Sequence, residues 1–153
     1  GMYKRALRVY RRLVGDDDVE LAAVLNGMGT VSWKKGELDR AMVKYEQAHE
    51  IFCRVDGEES EKVAIVLLNM ANVLTDQGKV SEAMVMMEKA LGIQRRTLGS
   101  DAEGVILSLL NLGTVYMQQG MLEEAHGRLE EALGSVRRIH PERNAREAMI
   151  LCK

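Results

Sequence analysis

The sequence contains very little proline and few aromatic residues. One proline occurs in 153 residues, and Phe, Trp and Tyr together make up 4%. Proline interrupts helices, so its near absence beside abundant Ala, Leu, Met, Glu, Lys and Arg favours helix throughout the chain. With 46% hydrophobic residues, a chain of this length buries a real core. We therefore predict an all-α domain.

Neither charge nor apolarity is concentrated enough to indicate nucleic acid or a membrane as a partner. The formal net charge is -2, which provides no basic field for a polyanion. The longest stretch without a charged residue, 104–122, is interrupted by Asn, Thr and Gln, unlike a membrane span. We expect neither kind of partner.

Cysteine is also scarce. Cys53 and Cys152 belong to no metal or redox motif, and such sparse use of cysteine is typical of a reducing compartment. No signal peptide is found, and Gly1-Met2 is interpreted as a cloning remnant. We expect a cytoplasmic protein that uses no cofactor and no metal.

One short turn occurs three times at a constant interval. It reads KKGELDRA at 34–41, DQGKVSEA at 76–83 and QQGMLEEA at 118–125. Five columns of residues recur every 42 positions, too many to align by chance. The columns are Gly36/Gly78/Gly120, Ala41/Ala83/Ala125, Ala6/Ala48/Ala90/Ala132, Gly15/Gly57/Gly99/Pro141 and Arg12/Arg54/Arg96/Arg138. A period of about 20–50 residues predicts a solenoid or array.

Each period shows two helical patterns on either side of the glycine turn. Before the turn, Leu67, Met70, Ala71 and Leu74 recur at i, i+3, i+4 and i+7, which is one face of a helix. After the turn, the apolar stripe of a second helix consists of an alanine, a larger apolar residue and another alanine, as at Ala83, Met87 and Ala90. Each unit is therefore predicted to be an antiparallel helix pair.

These residues resemble the tetratricopeptide repeat. The stretch LLNMANVLTDQGKVSEAMVMMEKALGIQRRTLGSD, at 67–101, is similar to the 42-residue repeat of kinesin light chains and related cytoplasmic proteins. The usual tetratricopeptide unit has about 34 residues, and the extra eight add roughly a turn to each helix. The resemblance implies a right-handed αα superhelix whose first helices line a concave, partner-binding side.

The period divides the chain into three units with a partial unit at each end. Residues 1–18 match the second helix of a preceding repeat, and 144–153 match the start of a further first helix. The repeats span 19–60, 61–102 and 103–143.

The concave face is predicted from the positions opposite the packing stripe. Asn and Thr inside helices are unfavourable for helix formation, and Asn offers both donors and an acceptor for the backbone of a bound peptide. The candidate peptide-binding residues are Thr30, Trp33, Lys34, Ile65, Leu68, Asn69, Asn72, Asp76, Asn111, Thr114 and Gln118. The alternative is that these amides bond neighbouring helices or water. Trp33 either anchors a partner or covers the next helix.

Two more specific sites are disfavoured. A clamp for dicarboxylate tails, known in the resembling family, needs Lys or Arg where this chain has Ala23, Ile65 and Leu107. His49 and Cys53 lie four residues apart on one helix, but a nucleophilic pair needs a third, orienting group, and none is evident. We expect a protein that is not an enzyme.

The sequence thus predicts a protein-interaction scaffold that binds a partner peptide or helix in its concave groove. The resemblance to kinesin light chains implies a cargo adaptor. The alternative hypothesis is a structural module that self-assembles through open repeat ends, since an uncapped repeat exposes apolar surface.

Overall fold

Seven α-helices make up most of the part of the chain that the structure, a computed structural model, describes: residues 2–14 and 19–141. No strand occurs among these residues, which confirms the all-α prediction. The helices are α1 (Met2–Val14), α2 (Val19–Lys34), α3 (Leu38–Asp56), α4 (Glu61–Asp76), α5 (Val80–Leu98), α6 (Glu103–Gln118) and α7 (Leu122–Ile139). The sequence segment 144–153, predicted to begin a further helix, lies outside the described residues.

The 42-residue period is visible in the helix boundaries. The first helices α2, α4 and α6 begin at residues 19, 61 and 103, and the second helices begin at 38, 80 and 122. The assignment of the ranges 19–60, 61–102 and 103–143 as separate domains remains a prediction.

A glycine in the left-handed region ends each first helix. Gly78 has a φ of +80°, its N–H bonds to the carbonyl of Thr75, and the N–H of Lys79 bonds to the carbonyl of Leu74. This is the Schellman pattern, which caps the last carbonyls of a helix and requires a residue without a Cβ penalty. The same two bonds recur after α2 and α6, so the repeated turn is a repeated helix cap.

The chain divides into two compact units, residues 1–93 and 94–153. In the first, the predicted stripes are buried: Leu67, Met70 and Leu74 on α4 are at most 6% exposed. The alanines at 41 and 48 on α3 are fully buried. Burial of these apolar stripes is the main stabilising contribution to each helix pair.

Small residues allow the two helices of a pair to approach closely. A Cβ added to Gly29 would lie 2.7 Å from two ring carbons of Tyr45 on α3. In the second unit, a Cβ on Gly113 of α6 would lie 2.7 Å from a methyl carbon of Leu129 on α7. The small residue is therefore needed because a large side chain from the second helix occupies the space beside it.

Polar contacts reinforce the second unit. The guanidinium of Arg138 donates to the carboxylate of Asp101, with contacts of 2.6 and 2.9 Å, and Ser135 donates to the carbonyl of Ser100. Arg95 pairs with Glu131. Hydrogen bonds from Arg138 hold the pKa of Asp101 below its usual value, as expected when a cation favours the charged carboxylate.

Candidate functional site

The predicted binding positions of the first unit lie on α2 and α4, which are in contact through their side chains. We call this surface the α2–α4 face; it comprises Ala23, Asn26, Thr30, Trp33, Lys34, Ile65, Leu68, Asn69, Asn72 and Asp76. Lys34, Ile65, Asn72 and Asp76 are exposed, whereas Thr30, Trp33, Leu68 and Asn69 are half-buried. The face therefore presents fewer free polar groups than the sequence suggests.

An amide pair links the middles of the two helices. Asn69 donates from Nδ2 to Oδ1 of Asn26 at 3.0 Å. The bond occupies one donor of Asn69 and one acceptor of Asn26, and leaves the remaining amide groups of the pair available. Asn26 is not among the residues predicted from the sequence. The signal was present, because Asn26 is the polar exception in a column that otherwise holds Leu68 and Leu110.

Thr30 has a structural hydrogen bond. Its Oγ1 donates to the carbonyl of Asn26 at 3.1 Å and lies 3.0 Å from the hydroxyl of Tyr45. Either hydroxyl can be the donor in this second bond. Burial raises the pKa of Tyr45, and the bond to Thr30 opposes that rise. Thr30 thus satisfies the polar end of a side chain that is 1% exposed.

Trp33 joins the carboxy-terminal ends of α2 and α4. Its indole Nε1 donates to Oδ2 of Asp76 at 2.6 Å, and its half-buried ring packs against the core of the first unit. The geometry matches the interpretation in which Trp33 covers the next helix. The exposed part of the ring remains accessible beside Lys34, whose side chain is exposed.

A mainly apolar depression of about 260 Å³ lies at the amino-terminal ends of the same two helices. Phe52 of α3 is 3% exposed and Ile65 of α4 is 44% exposed, so the depression has a buried aromatic wall and an accessible aliphatic one. Lys62 at its border pairs with Asp56 at 3.5 Å. The lining residues are Val19, Glu20, Ala23, Asn26, Phe52, Lys62 and Ile65.

In the second unit, α6 carries the corresponding positions on its own exposed face. The side chains of Asn111, Thr114 and Gln118 are exposed there, and Thr114 donates back to the carbonyl of Leu110. Leu107 and Leu110 on the same helix are 53% and 42% exposed. This face therefore combines exposed leucines with uncharged polar groups, and α6 carries no charge after Glu103.

The His49–Cys53 pair does not have the electrostatics of a nucleophile. Sγ of Cys53 lies 3.6 Å from Nε2 of His49. Burial raises the pKa of Cys53 and lowers that of His49, with smaller effects from the charges of Glu58 and Lys89. Both shifts favour the neutral pair, whereas a reactive cysteine needs the thiolate.

The described residues, 2–14 and 19–141, hold neither a metal cluster nor a membrane-spanning helix. That part of the chain contains no group of three His, Cys, Asp or Glu side chains placed to hold a metal ion. None of its helices combines the length and apolarity needed to cross a membrane.

Comparison with known proteins identifies the family. Residues 62–138, about half of the chain, match the family model of the tetratricopeptide repeat. The chain belongs to the tetratricopeptide repeat family. No curated protein matches this tetratricopeptide chain significantly.

Solved structures share the fold of this tetratricopeptide protein. It is similar to BtubC (BKLC) from P. vanneervenii, with 26% identity and a TM-score of 0.82 over 90% of this chain and 55% of that one. A putative kinesin light chain from Podosopora anserina with nearly identical TPR-like repeats has 19% identity and a TM-score of 0.72 over 90% of this chain and 65% of that one. MamA has 17% identity and a TM-score of 0.65 over 90% of this chain and 68% of that one.

These similarities confirm the predicted α-solenoid class and the resemblance to kinesin light chain repeats. This tetratricopeptide chain spans only about half the length of BtubC.

Proposed function

We propose that this chain is a non-enzymatic protein-interaction module whose α2–α4 face binds an extended peptide or a helix of a partner protein. The tetratricopeptide fold supports an interaction scaffold in general. The observation that carries the specific proposal is the 260 Å³ depression beside exposed Ile65. A concave site lined by apolar side chains with a few polar groups is the usual form of a ligand pocket.

The chemistry of the face suits a peptide with an apolar side chain. Ile65 and Ala23 offer an aliphatic surface for that side chain, and burying it there is favourable by about 25 cal/mol per Å² of apolar area. The exposed carboxamide of Asn72, one helix turn beyond Asn69, offers a donor and an acceptor to the peptide backbone. Because the Asn26–Asn69 bond already links the two helices, little ordering is needed on binding.

A peptide selection with matched variants tests this proposal. Peptides selected from a random library on the wild-type chain are titrated against Ile65→Asp and, as a control, Val85→Asp. Both changes place a carboxylate on an exposed apolar position, since Val85 is 69% exposed, but Val85 lies on α5, away from the α2–α4 face. We expect at least tenfold weaker binding for Ile65→Asp, about 1.4 kcal/mol, and unchanged binding for Val85→Asp.

An equal loss of affinity in Ile65→Asp and Val85→Asp, or wild-type affinity in both, would contradict the assignment of this face.

Asn72→Ala provides a milder test, with an expected loss of about 0.5–1.5 kcal/mol of binding free energy for one hydrogen bond. The exposed polar positions of α6 are proposed as a peptide-binding surface of the second unit in its own right, so Asn111→Ala is expected to weaken peptides selected on that surface without lowering stability.

A finer proposal is that the module acts as a kinesin light chain-like cargo adaptor in the cytoplasm. It is supported by the similarity to the putative kinesin light chain of Podosopora anserina and by the repeat resemblance. Co-purification of the full-length parent with a kinesin heavy chain, together with imaging of its location, tests it. A parent that binds peptides through the α2–α4 face but no motor would contradict the adaptor role alone.

Self-association is the second candidate. Leu91 and Leu133 occupy the same column of the repeat, yet Leu91 is fully buried and Leu133 is 40% exposed. An exposed leucine at a position that is normally covered favours contact with another copy. Light scattering over a concentration series tests this candidate: Leu133→Asp is expected to abolish association, and a wild-type chain that is monomeric at every concentration would exclude it.

A further inference from the structure

Two buried polar side chains are hydrogen-bonded to each other in the second unit. Gln94 on α5 is 6% exposed and Ser108 on α6 is 4% exposed. The hydroxyl of Ser108 donates to Oε1 of Gln94 at 2.6 Å. Buried polar groups are stable when they are hydrogen-bonded, and here each side chain is the partner of the other.

One period earlier, the same two positions are apolar. Phe52 stands 42 residues before Gln94, and Val66 stands 42 residues before Ser108. Both are buried and belong to the apolar core of the first unit. The two positions therefore change together, from an apolar pair on α3 and α4 to a polar pair on α5 and α6.

The joint change matters because the repeats resemble one another. During folding, α6 meets two similar docking surfaces, one on α3 and one on α5, either in the same copy or in a second copy. Misassembly and domain swapping are characteristic failures of repeat proteins. With Ser108 against Phe52, or Val66 against Gln94, a polar group would be buried without its partner, which is strongly unfavourable.

We propose that the Gln94–Ser108 pair specifies which second helix α6 packs against. The correct pairing satisfies both side chains, and each mixed pairing leaves one unsatisfied. Ser108 retains a fallback, since a serine hydroxyl can bond to the carbonyl four residues earlier in its own helix. The Oε1 atom of Gln94 accepts its bond and has no such local donor, because the backbone N–H groups of its own helix are already bonded, so the discrimination rests mainly on this oxygen.

The first experiment measures coupling between the two side chains. The variants are Gln94→Met, Ser108→Ala and the double variant, all in the full chain and all close to the original side-chain shapes. Ser108→Ala leaves Oε1 of Gln94 buried and unpaired, and we expect the folding equilibrium constant to fall about tenfold in urea titrations. The double variant is expected to recover at least the wild-type value, because both partners are then apolar. Additive losses would overturn the pairing.

The second experiment measures assembly. Two copies with different affinity tags are unfolded in urea and refolded together, and the fraction of each captured with the other is compared with copies mixed after folding. The double variant Gln94→Met/Ser108→Ala is expected to exchange several-fold more than wild type. Ile93→Met, an apolar change on the same helix at a fully buried position, is the control and should behave as wild type.

Exchange in the double variant no greater than in wild type would overturn the proposal, as would equally high exchange in the wild-type chain. The sample mixed after folding measures the association of native copies. This value is subtracted from that of the refolded sample, so a native oligomer is not counted as exchange.

Discussion

Replacing Gly29 by alanine tests whether the small residue of the first repeat is required by packing. The added Cβ would lie 2.7 Å from Cδ1 and Cε1 of the Tyr45 ring, whereas carbon atoms in contact are normally about 3.5–4.0 Å apart. The ring cannot easily retreat, because Tyr45 is 1% exposed and its hydroxyl is held by Thr30 at 3.0 Å.

The expected effect is a balance of two contributions. Overpacking a tight core destabilises by about 1–3 kcal/mol, and alanine is better than glycine inside a helix by about 0.5–1 kcal/mol. We therefore expect Gly29→Ala to lower the free energy of unfolding by about 1 kcal/mol, within the range of about 0–2.5 kcal/mol that the two contributions allow. In a protein of this size, 1 kcal/mol shifts Tm by about 2–4 °C.

Gly27 provides a matched control on the same helix. A Cβ at Gly27 would meet nothing within 4 Å, and the residue is exposed. Only the helix-propensity contribution remains, so Gly27→Ala should raise stability by about 0.5–1 kcal/mol. Two identical substitutions, two residues apart, are thus expected to have opposite signs. Urea titrations followed by circular dichroism measure both.

A rescue variant isolates the cause. The next repeat has Ala71 with Met87 at the equivalent positions, and Met87 is buried at 8% exposure. The double variant Gly29→Ala/Tyr45→Met copies that combination into the first repeat. Gly29→Ala should therefore cost less free energy of unfolding in the Tyr45→Met background than in the wild-type chain. Unfolding of Gly29→Ala at the same urea concentration as Gly27→Ala would contradict the packing requirement, because the helix pair would then adjust without cost.

Three further predictions concern a helix contact, an ion pair and a thiol. Ala83 is fully buried, so Ala83→Leu should destabilise by about 1–3 kcal/mol, and an unchanged melting temperature would show that this column does not pack. Hydrogen bonds from Arg138 lower the pKa of Asp101. The contribution of ionised Asp101 to stability is therefore present above the unfolded-state pKa and is lost as the pH falls through the lower, folded-state pKa. The stability difference between wild type and Asp101→Asn should therefore shrink in acid titrations below about pH 4, and a constant difference would contradict the pairing. Burial raises the pKa of Cys53, so in a Cys152→Ser background iodoacetamide should modify Cys53 more slowly than a free cysteine at pH 7; faster modification would revive the nucleophile hypothesis.

Much of the fold was predictable because the repeat supplies the same information several times. The recurrence of Gly36, Gly78 and Gly120 marks a helix end that needs a left-handed residue, and all three have positive φ. The apolar stripes follow from helical periodicity, which depends only on residues near in sequence.

The candidate site was less predictable, because exposure on a helix face does not reveal what lies across from it. The sequence places Thr30 and Asn69 among the groove polar groups, but the structure pairs Thr30 with Tyr45 and Asn69 with Asn26. These partners are up to 43 residues away and come from other helices. No local pattern predicts such pairs, because they depend on the rotation and crossing of two packed helices. Asn72 keeps its predicted exposure.

The sequence by itself determined the class of fold, the position of each turn and the stripe that each helix buries, since these follow from short-range periodicity and from the conformational freedom of glycine. Only the tertiary structure decided which polar side chains remain available to a partner. Gln94 and Ser108 show the reason: each is an unremarkable polar residue along the chain, and only the packing of α6 against α5 makes them a buried pair. A hydrogen bond between distant residues is a property of the assembled core.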